Sequence, residues 1–156
     1  METDTSNDIV SDNYSKPQDN NIQEPSILLL SSLVFVTNII TAYISEQYVY
    51  SFLFCILTIT SLLFHYKNNY YTNIIDKIEI LSIVSYGGYM LYHKMNTENL
   101  LNCFIVILAF LLCIYLFFYG FIVKEYCFCD NKYIGEQYHF IMHIISSIGH
   151  HFIIYL

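Results

Sequence analysis

After its first 25 residues, the chain consists of five long apolar runs that are separated by short polar breaks. Each run has a length in or near the range of about 17–25 residues that a helix needs to cross a bilayer. Backbone that faces lipid must satisfy its own hydrogen bonds, which favours a helix for every run. The pattern therefore predicts an all-α, polytopic transmembrane helix bundle over residues 26–156. The predicted spans are approximately 26–44, 48–65, 74–92, 100–123 and 138–156.

Residues 1–25 have a different pattern, because they are polar, acidic and rich in Asn, Asp and Ser. Such a segment cannot bury enough apolar surface to offset the entropy lost on ordering, so it is predicted to be a disordered tail. It also lacks the basic start and the short apolar core of a cleaved signal peptide. The first apolar run is therefore expected to act as its own targeting signal.

The overall composition is typical of a membrane protein. Hydrophobic residues make up 56% of the chain and charged residues 12%, whereas a soluble domain would carry roughly twice that share of charge. The net charge of −7 does not alter this interpretation, since much of the acid lies in the N-terminal tail. Basic and aromatic residues are not arranged to follow a nucleic-acid backbone. Membrane lipids, and not nucleic acid, are therefore the predicted partners.

The positions of the six lysines predict how the bundle is oriented. Five of them fall in the tail or around the connections after the second and fourth spans: Lys16, Lys67, Lys77, Lys124 and Lys132. Lys94 falls on the opposite side. Since positively charged loops tend to stay in the cytoplasm, the N-terminus is predicted to be cytoplasmic and the C-terminus to lie across the membrane.

Polar side chains occur at one predicted depth in three of the spans. Ser61 and His65 lie at the end of the second span, Asp76 at the start of the third, and His139 and His143 at the start of the fifth. A helix rises about 1.5 Å per residue, so all five side chains are expected within about 10 Å of one membrane surface. Ser61 and His65 are four residues apart, as are His139 and His143, so the two side chains of each pair lie on one helical face. The sequence therefore predicts a polar pocket near that surface.

The residue types in this pocket suit a metal centre. Three neutral imidazoles, from His65, His139 and His143, are a ligand set for Zn²⁺ that leaves a fourth position for water, as in catalytic sites. Bound zinc would make a hydroxide nucleophile available near neutral pH. Asp76 would be the general base or the carboxylate that orients a ligand. Ser61 would steady an oxyanion or a substrate carbonyl.

The same residues carry a resemblance to a known family. Ser-x-x-x-His in SLLFH, Asp in NIIDKIE and His-x-x-x-His in HFIMH resemble the motifs of the CREST superfamily of membrane hydrolases. That group includes the alkaline ceramidases and the adiponectin and progestin receptors. The resemblance implies a zinc-dependent intramembrane hydrolase that cleaves an amide or ester bond in a lipid, ceramide-like or an acyl ester. Family members usually have seven spans, so this chain would be a shortened form.

Other interpretations of these residues stay open. His139 and His143 could form hydrogen bonds between helices or ligate haem. Asp76 could be a hydrated helix start, and Ser61 could bond back to its own helix. The alternative to a hydrolase is a non-catalytic metal-binding or structural membrane protein, either receptor-like or a component of a membrane-wrapped particle.

Three further groups lie outside the predicted set. His150 and His151 are deeper in the fifth span and are predicted to be packing or interfacial groups. Glu79, one turn beyond Asp76, is the best additional candidate for proton relay. The Cys127-Phe128-Cys129 loop offers too few ligands for an ordinary zinc site.

Overall fold

The computed structural model describes residues 27–67 and 69–156, so the tail predicted at 1–25 lies outside the described residues. Within them the chain is helical and has no strand, which confirms the all-α prediction. The α-helices are α1 (Ile27–Ser32), α2 (Phe35–Ile44), α3 (Tyr48–Lys67), α4 (Tyr70–Lys94), α5 (Leu100–Ile114), α6 (Gly120–Val123) and α7 (Lys132–Tyr155). A π-helical turn at Tyr115–Tyr119 joins α5 to α6, and a 3-10 turn at Tyr126–Phe128 precedes α7.

Three helical segments are long and apolar enough to cross a membrane: Ile27–Ile44, Tyr48–Lys67 and Leu100–Val123. They correspond to the first, second and fourth predicted spans. The helices α4 and α7 have 25 and 24 residues, which is also enough length to cross a bilayer. Both carry more polar side chains than the other three segments. Their crossing of the membrane, and with it the count of five spans, stays a prediction.

The first of these segments is interrupted between α1 and α2. The hydroxyls of Ser31 and Ser32 both donate back to the carbonyl of Leu28, at 2.8 and 3.0 Å. Serines that bond back to their own helix in this way tend to bend it. At the break, the amide of Val34 bonds to the carbonyl of Ser31 at 3.1 Å. The result is that two fully buried serines face the interior of the bundle.

The core lies where α2, α3, α4 and α7 meet. The helix α3 packs against α2 on one side and against α4 on the other, while α7 packs against α5 and also reaches α1 and α2. A Cβ added at Gly149 would lie 3.1 Å from the Cβ of Ala109, so α5 and α7 approach closely there. The most deeply buried large side chains of this core are Phe35, Tyr50, Phe54, Leu57, Ile83 and Ile154.

Polar contacts at the far end of the bundle hold α7 in position. The ammonium group of Lys94 donates to the carbonyls of Ile153 and Ile154, each at 3.0 Å, and the amide of Gln47 donates to Ile154 at 2.9 Å. The last carbonyls of a helix have no partner within it and carry partial negative charge, so a cation is favourable there. These bonds fix the axial position of α7 and therefore the depth of its histidines.

Candidate metal centre

Two helices bring the three predicted ligands together. His65 lies near the end of α3, and His139 and His143 lie one turn apart on α7. One ligand atom from each histidine lies within 4.8 Å of those of the other two. The ring centroids are separated by 5.2 Å for His65 and His139, 5.8 Å for His65 and His143, and 4.7 Å for His139 and His143.

The donor set and its geometry fit a zinc ion. With Zn–N bonds of about 2.1 Å, two nitrogens of a tetrahedral centre lie about 3.4 Å apart, so small side-chain rotations would bring these rings to ligand distance. Within the described part of the chain, no acidic or thiol group joins the three histidines. After such rotations the three imidazoles are close enough to bind one zinc ion. Zinc binding itself stays a prediction.

A hydrogen bond from α1 orients the most buried ligand. The Nδ1 of His143 lies 2.9 Å from the hydroxyl oxygen of Ser31, and the Ser31 hydroxyl itself donates to Leu28. With a metal on Nε2, the Nδ1 would carry the proton and the serine oxygen would accept it. Phe35 packs on the same imidazole with its ring centroid 5.1 Å away. His143 is thus held with Nε2 free for a metal, in the arrangement typical of histidine ligands.

Ser61 lies one turn deeper than His65 on α3, but its hydroxyl is already engaged. It is buried, and its oxygen lies 2.9 Å from that of Ser32. The Ser32 hydroxyl also lies 3.0 Å from the carbonyl of Leu28, and either serine can be the donor in this pair. To stabilise an oxyanion, as predicted, Ser61 would have to exchange this hydrogen bond. Its catalytic role stays a prediction.

Asp76 is buried against α3 near the same level as Ser61. Its carboxylate accepts a long hydrogen bond of 3.5 Å from Thr60, the residue before Ser61. The hydroxyl of Thr60 also lies 3.1 Å from the carbonyl of Leu57, so the carboxylate is only weakly bonded. Asp76 is not one of the clustered ligands. This position suits a base or an orienting group better than a ligand.

A cavity of about 280 Å³ lies beside His139, at the end of the bundle where the three histidines lie. Residues of the loop before α7 and of its first turns, together with Leu28, line it. It offers a path from the surface to the imidazole. Burial raises the pKa of the Cys127 thiol in this lining to about 11. The thiol is therefore neutral near pH 7.

The two deeper histidines of α7 have partners elsewhere. His150 is buried and its Nδ1 bonds to the hydroxyl of Tyr50 on α3. His151 bonds through Nε2 to the hydroxyl of Thr37 on α2, at 3.0 Å. Neither belongs to the three-histidine group.

Sequence reasoning missed the contribution of α1. Ser31 and Ser32 touch His143 and Ser61, yet neither has the spacing of a motif. One signal was available, since both serines lie in the first turns of the first span, on the predicted side of the pocket.

Comparison with known proteins gives no neighbour for this arrangement: the chain matches no protein-family model, no curated protein and no solved structure. The resemblance to the CREST superfamily therefore depends on the residues themselves.

Proposed function

We propose that the protein is a zinc-dependent membrane hydrolase of the CREST type that cleaves an amide or ester bond in a lipid. The observation that carries this proposal is the convergence of His65, His139 and His143 within 4.8 Å in a chain with three helices apolar enough to cross a membrane. Zinc bound there would supply a water activated near neutral pH. The five predicted spans and a cytoplasmic N-terminus belong to the same proposal.

Three parts of the pocket would act in this reaction. The histidines would hold the ion, and Ser31 would keep His143 in the required tautomer. Asp76, which is weakly bonded, would take a proton from the attacking water and pass it to the amine or alcohol that leaves. The cavity beside His139 admits that water from the surface, while the lipid enters from the membrane.

Metal content tests the proposal most directly. Protein purified in detergent should contain about one zinc per chain, as a three-histidine centre requires. His65→Ala and His143→Ala should each remove it. His93→Ala is the matched control, because His93 lies among tyrosines at the other end of α4. Stoichiometric zinc in a variant that lacks all three clustered histidines would falsify the centre.

A non-catalytic metal-binding protein is the second candidate. The observation that favours it is the hydrogen bond between Ser61 and Ser32, which already engages the hydroxyl that an oxyanion would need. Zinc-loaded protein should then hydrolyse neither ceramide-like amides nor acyl esters in mixed micelles. Haem binding by the paired histidines would instead give a Soret band after haem loading.

A further inference from the structure

The cavity of about 280 Å³ beside His139 is large enough to hold more than the one water that a zinc centre would activate. A water occupies about 30 Å³ of the liquid, so the cavity has the volume of roughly nine of them. Its wall includes His139 itself, whose ring meets those of His65 and His143. A small polar group in this cavity would therefore lie directly beside the proposed metal centre.

The loop before α7 and the first turns of that helix supply hydrogen-bond acceptors to the wall. The carbonyl oxygens of Cys127 and Cys129 lie 3.4 and 3.5 Å from the position that a Cβ on Gly135 would take, so the loop turns them toward α7. The carboxylates of Asp130 and Glu136 belong to the same wall. The Glu136 side chain is only 19% exposed.

Among the described residues of the wall, Lys132 carries the positive charge. Its side chain is 86% exposed, and its ammonium nitrogen lies 3.7 Å from a carboxylate oxygen of Glu136. An ion pair that is long and largely in water contributes little to stability. With two acidic residues and one basic residue, the wall has a net charge of −1 near pH 7. The cavity is therefore suited to a group that donates hydrogen bonds and is positively charged.

Glu136 lies within a short reach of the metal ligands, because it precedes His139 by three residues on α7. The Cβ atoms of helical residues at this spacing are about 5–6 Å apart. Three bonds of an extended chain span about 3.8 Å, so four bonds span about 5 Å. A group four bonds from a carbonyl carbon at His139 would thus reach Glu136. Bound zinc would add positive charge at the His139 end of the cavity, so a cationic group would lie at the Glu136 end.

We propose that this cavity binds the polar head of the lipid and prefers a head with a primary ammonium group over a neutral head of the same size. The inference rests on the proposed function for the position of the scissile carbonyl beside His139. An ammonium group has three hydrogen-bond donors and no acceptor, which matches a wall of carbonyl and carboxylate oxygens. A hydroxyl group has one donor and no charge, so it uses less of this wall. The substrate class is then an amide or ester between a long-chain acid and a head that carries an amine.

The test compares two lipids of equal length. N-palmitoylethylenediamine has a head that ends in an ammonium group, and N-palmitoylethanolamine has a head that ends in a hydroxyl. Binding is measured by displacement of a fluorescent lipid from the purified, zinc-loaded protein in a nonionic detergent. The ammonium lipid should bind about threefold to tenfold more tightly to the wild-type protein, an effect between those of an exposed ion pair and of a buried hydrogen bond to a charged group.

Two variants separate the effect of the Glu136 carboxylate from that of its ion pair. Glu136→Gln removes the charge, keeps the size of the side chain, and should lower the ratio of the two affinities to about one. Lys132→Gln breaks the same ion pair but keeps the carboxylate, so the preference should persist or increase. Equal binding of the two lipids by the wild-type protein overturns the inference. A preference that survives Glu136→Gln, or that both variants lose equally, overturns it as well.

Zinc content and hydrolysis, measured on the same samples, show which of the two proposals fails. A preference that depends on Glu136 in a protein that neither retains zinc nor hydrolyses either lipid upholds the inference and refutes the hydrolase. Retained zinc and hydrolysis of both lipids, bound with equal affinity, refute the inference and uphold the hydrolase.

Discussion

At the scale of single residues, the quality of the proposed centre depends on how each imidazole is held. A histidine ligand whose second nitrogen has a fixed partner presents a defined tautomer and ring orientation. Ser31 supplies that partner for His143, at 2.9 Å from its Nδ1. Because Ser31 is fully buried, water cannot readily replace it.

Ser31→Ala should therefore weaken zinc binding by about 10-fold to 100-fold, the usual effect of losing a group that orients a ligand. The measurement is competition for zinc against a chelating indicator. Ser82→Ala is the control, since the Ser82 hydroxyl bonds back to Ile78 on its own helix. Unchanged zinc affinity in Ser31→Ala would show that the His143 contact does not tune the ligand.

Asp76 raises a different question, because it lies outside the group of clustered ligands. If it is the base, Asp76→Asn should keep zinc and lower lipid hydrolysis by about 10²-fold to 10⁴-fold, the typical contribution of a general base. Zinc content and turnover are measured on the same sample, with Glu46→Gln at an exposed site as the control. Loss of zinc together with activity would instead make Asp76 a group that holds the metal centre together.

At the scale of helices, the position of the metal centre depends on a seam deeper in the bundle, the line along which α3, α4 and α7 meet. The helices α3, α4 and α7 meet around Gly87, where Tyr50 bonds to His150. The contacts of Lys94 with the last carbonyls of α7 lie further along the same side. Together they set the depth at which His139 and His143 face His65.

Two adjacent glycines allow this seam to be tested. A Cβ at Gly87 would lie 2.8 Å from the Tyr50 hydroxyl oxygen, whereas a Cβ at Gly88 would meet no heavy atom within 4 Å. Gly87→Ala should lower the free energy of unfolding by about 1–3 kcal/mol through overpacking. Gly88→Ala should raise it by up to about 1 kcal/mol, because alanine is the better helix former. Denaturation in detergent measures the free energy of unfolding of both variants. Equal changes in the two variants would mean that the protein accommodates a methyl group at residue 87 without a clash.

At the scale of the whole molecule, the outer surface is that of a protein surrounded by lipid. Large apolar side chains cover the outer side of α5, among them Leu101, Phe104, Leu108 and Leu111. A soluble monomer rarely exposes apolar patches of this size. Buried serine and histidine side chains, in contrast, are turned inward, where they bond across helices.

The sequence predicted the helices and the meeting of the three histidines because both follow from regular geometry. Helical rise predicts the depth, and a reversal of direction at each predicted connection predicts the side, so the sequence places His65, His139 and His143 at one expected level. The contacts of Ser31 and Ser32 could not be predicted in the same way, since they depend on the break after α1.

The count of spans is the whole-molecule prediction that follows from this geometry, and one position on each side of α7 and one after α4 test it. If α4 crosses, residue 96 faces away from the cytoplasm and residue 130 faces the cytoplasm; if it does not, these two positions exchange sides. If α7 crosses, residue 156 lies on the opposite side of the membrane from residue 130. Single cysteines at Asn96→Cys, Asp130→Cys and Leu156→Cys, in a chain whose five native cysteines are changed to alanine, can be labelled with an impermeant maleimide in sealed vesicles of known sidedness.

Five spans require that Asn96→Cys and Leu156→Cys react from the non-cytoplasmic side and that Asp130→Cys reacts only after the cytoplasmic face is opened. The positive-inside rule predicts the same outcome, because Lys124 and Lys132 flank residue 130. Reaction of Asn96→Cys from the cytoplasmic side would mean that α4 does not cross, and labelling of residues 130 and 156 from one side would mean that α7 does not cross. The hydrolase proposal would then lose the membrane helix that carries Asp76 in the first case, and the one that carries His139 and His143 in the second.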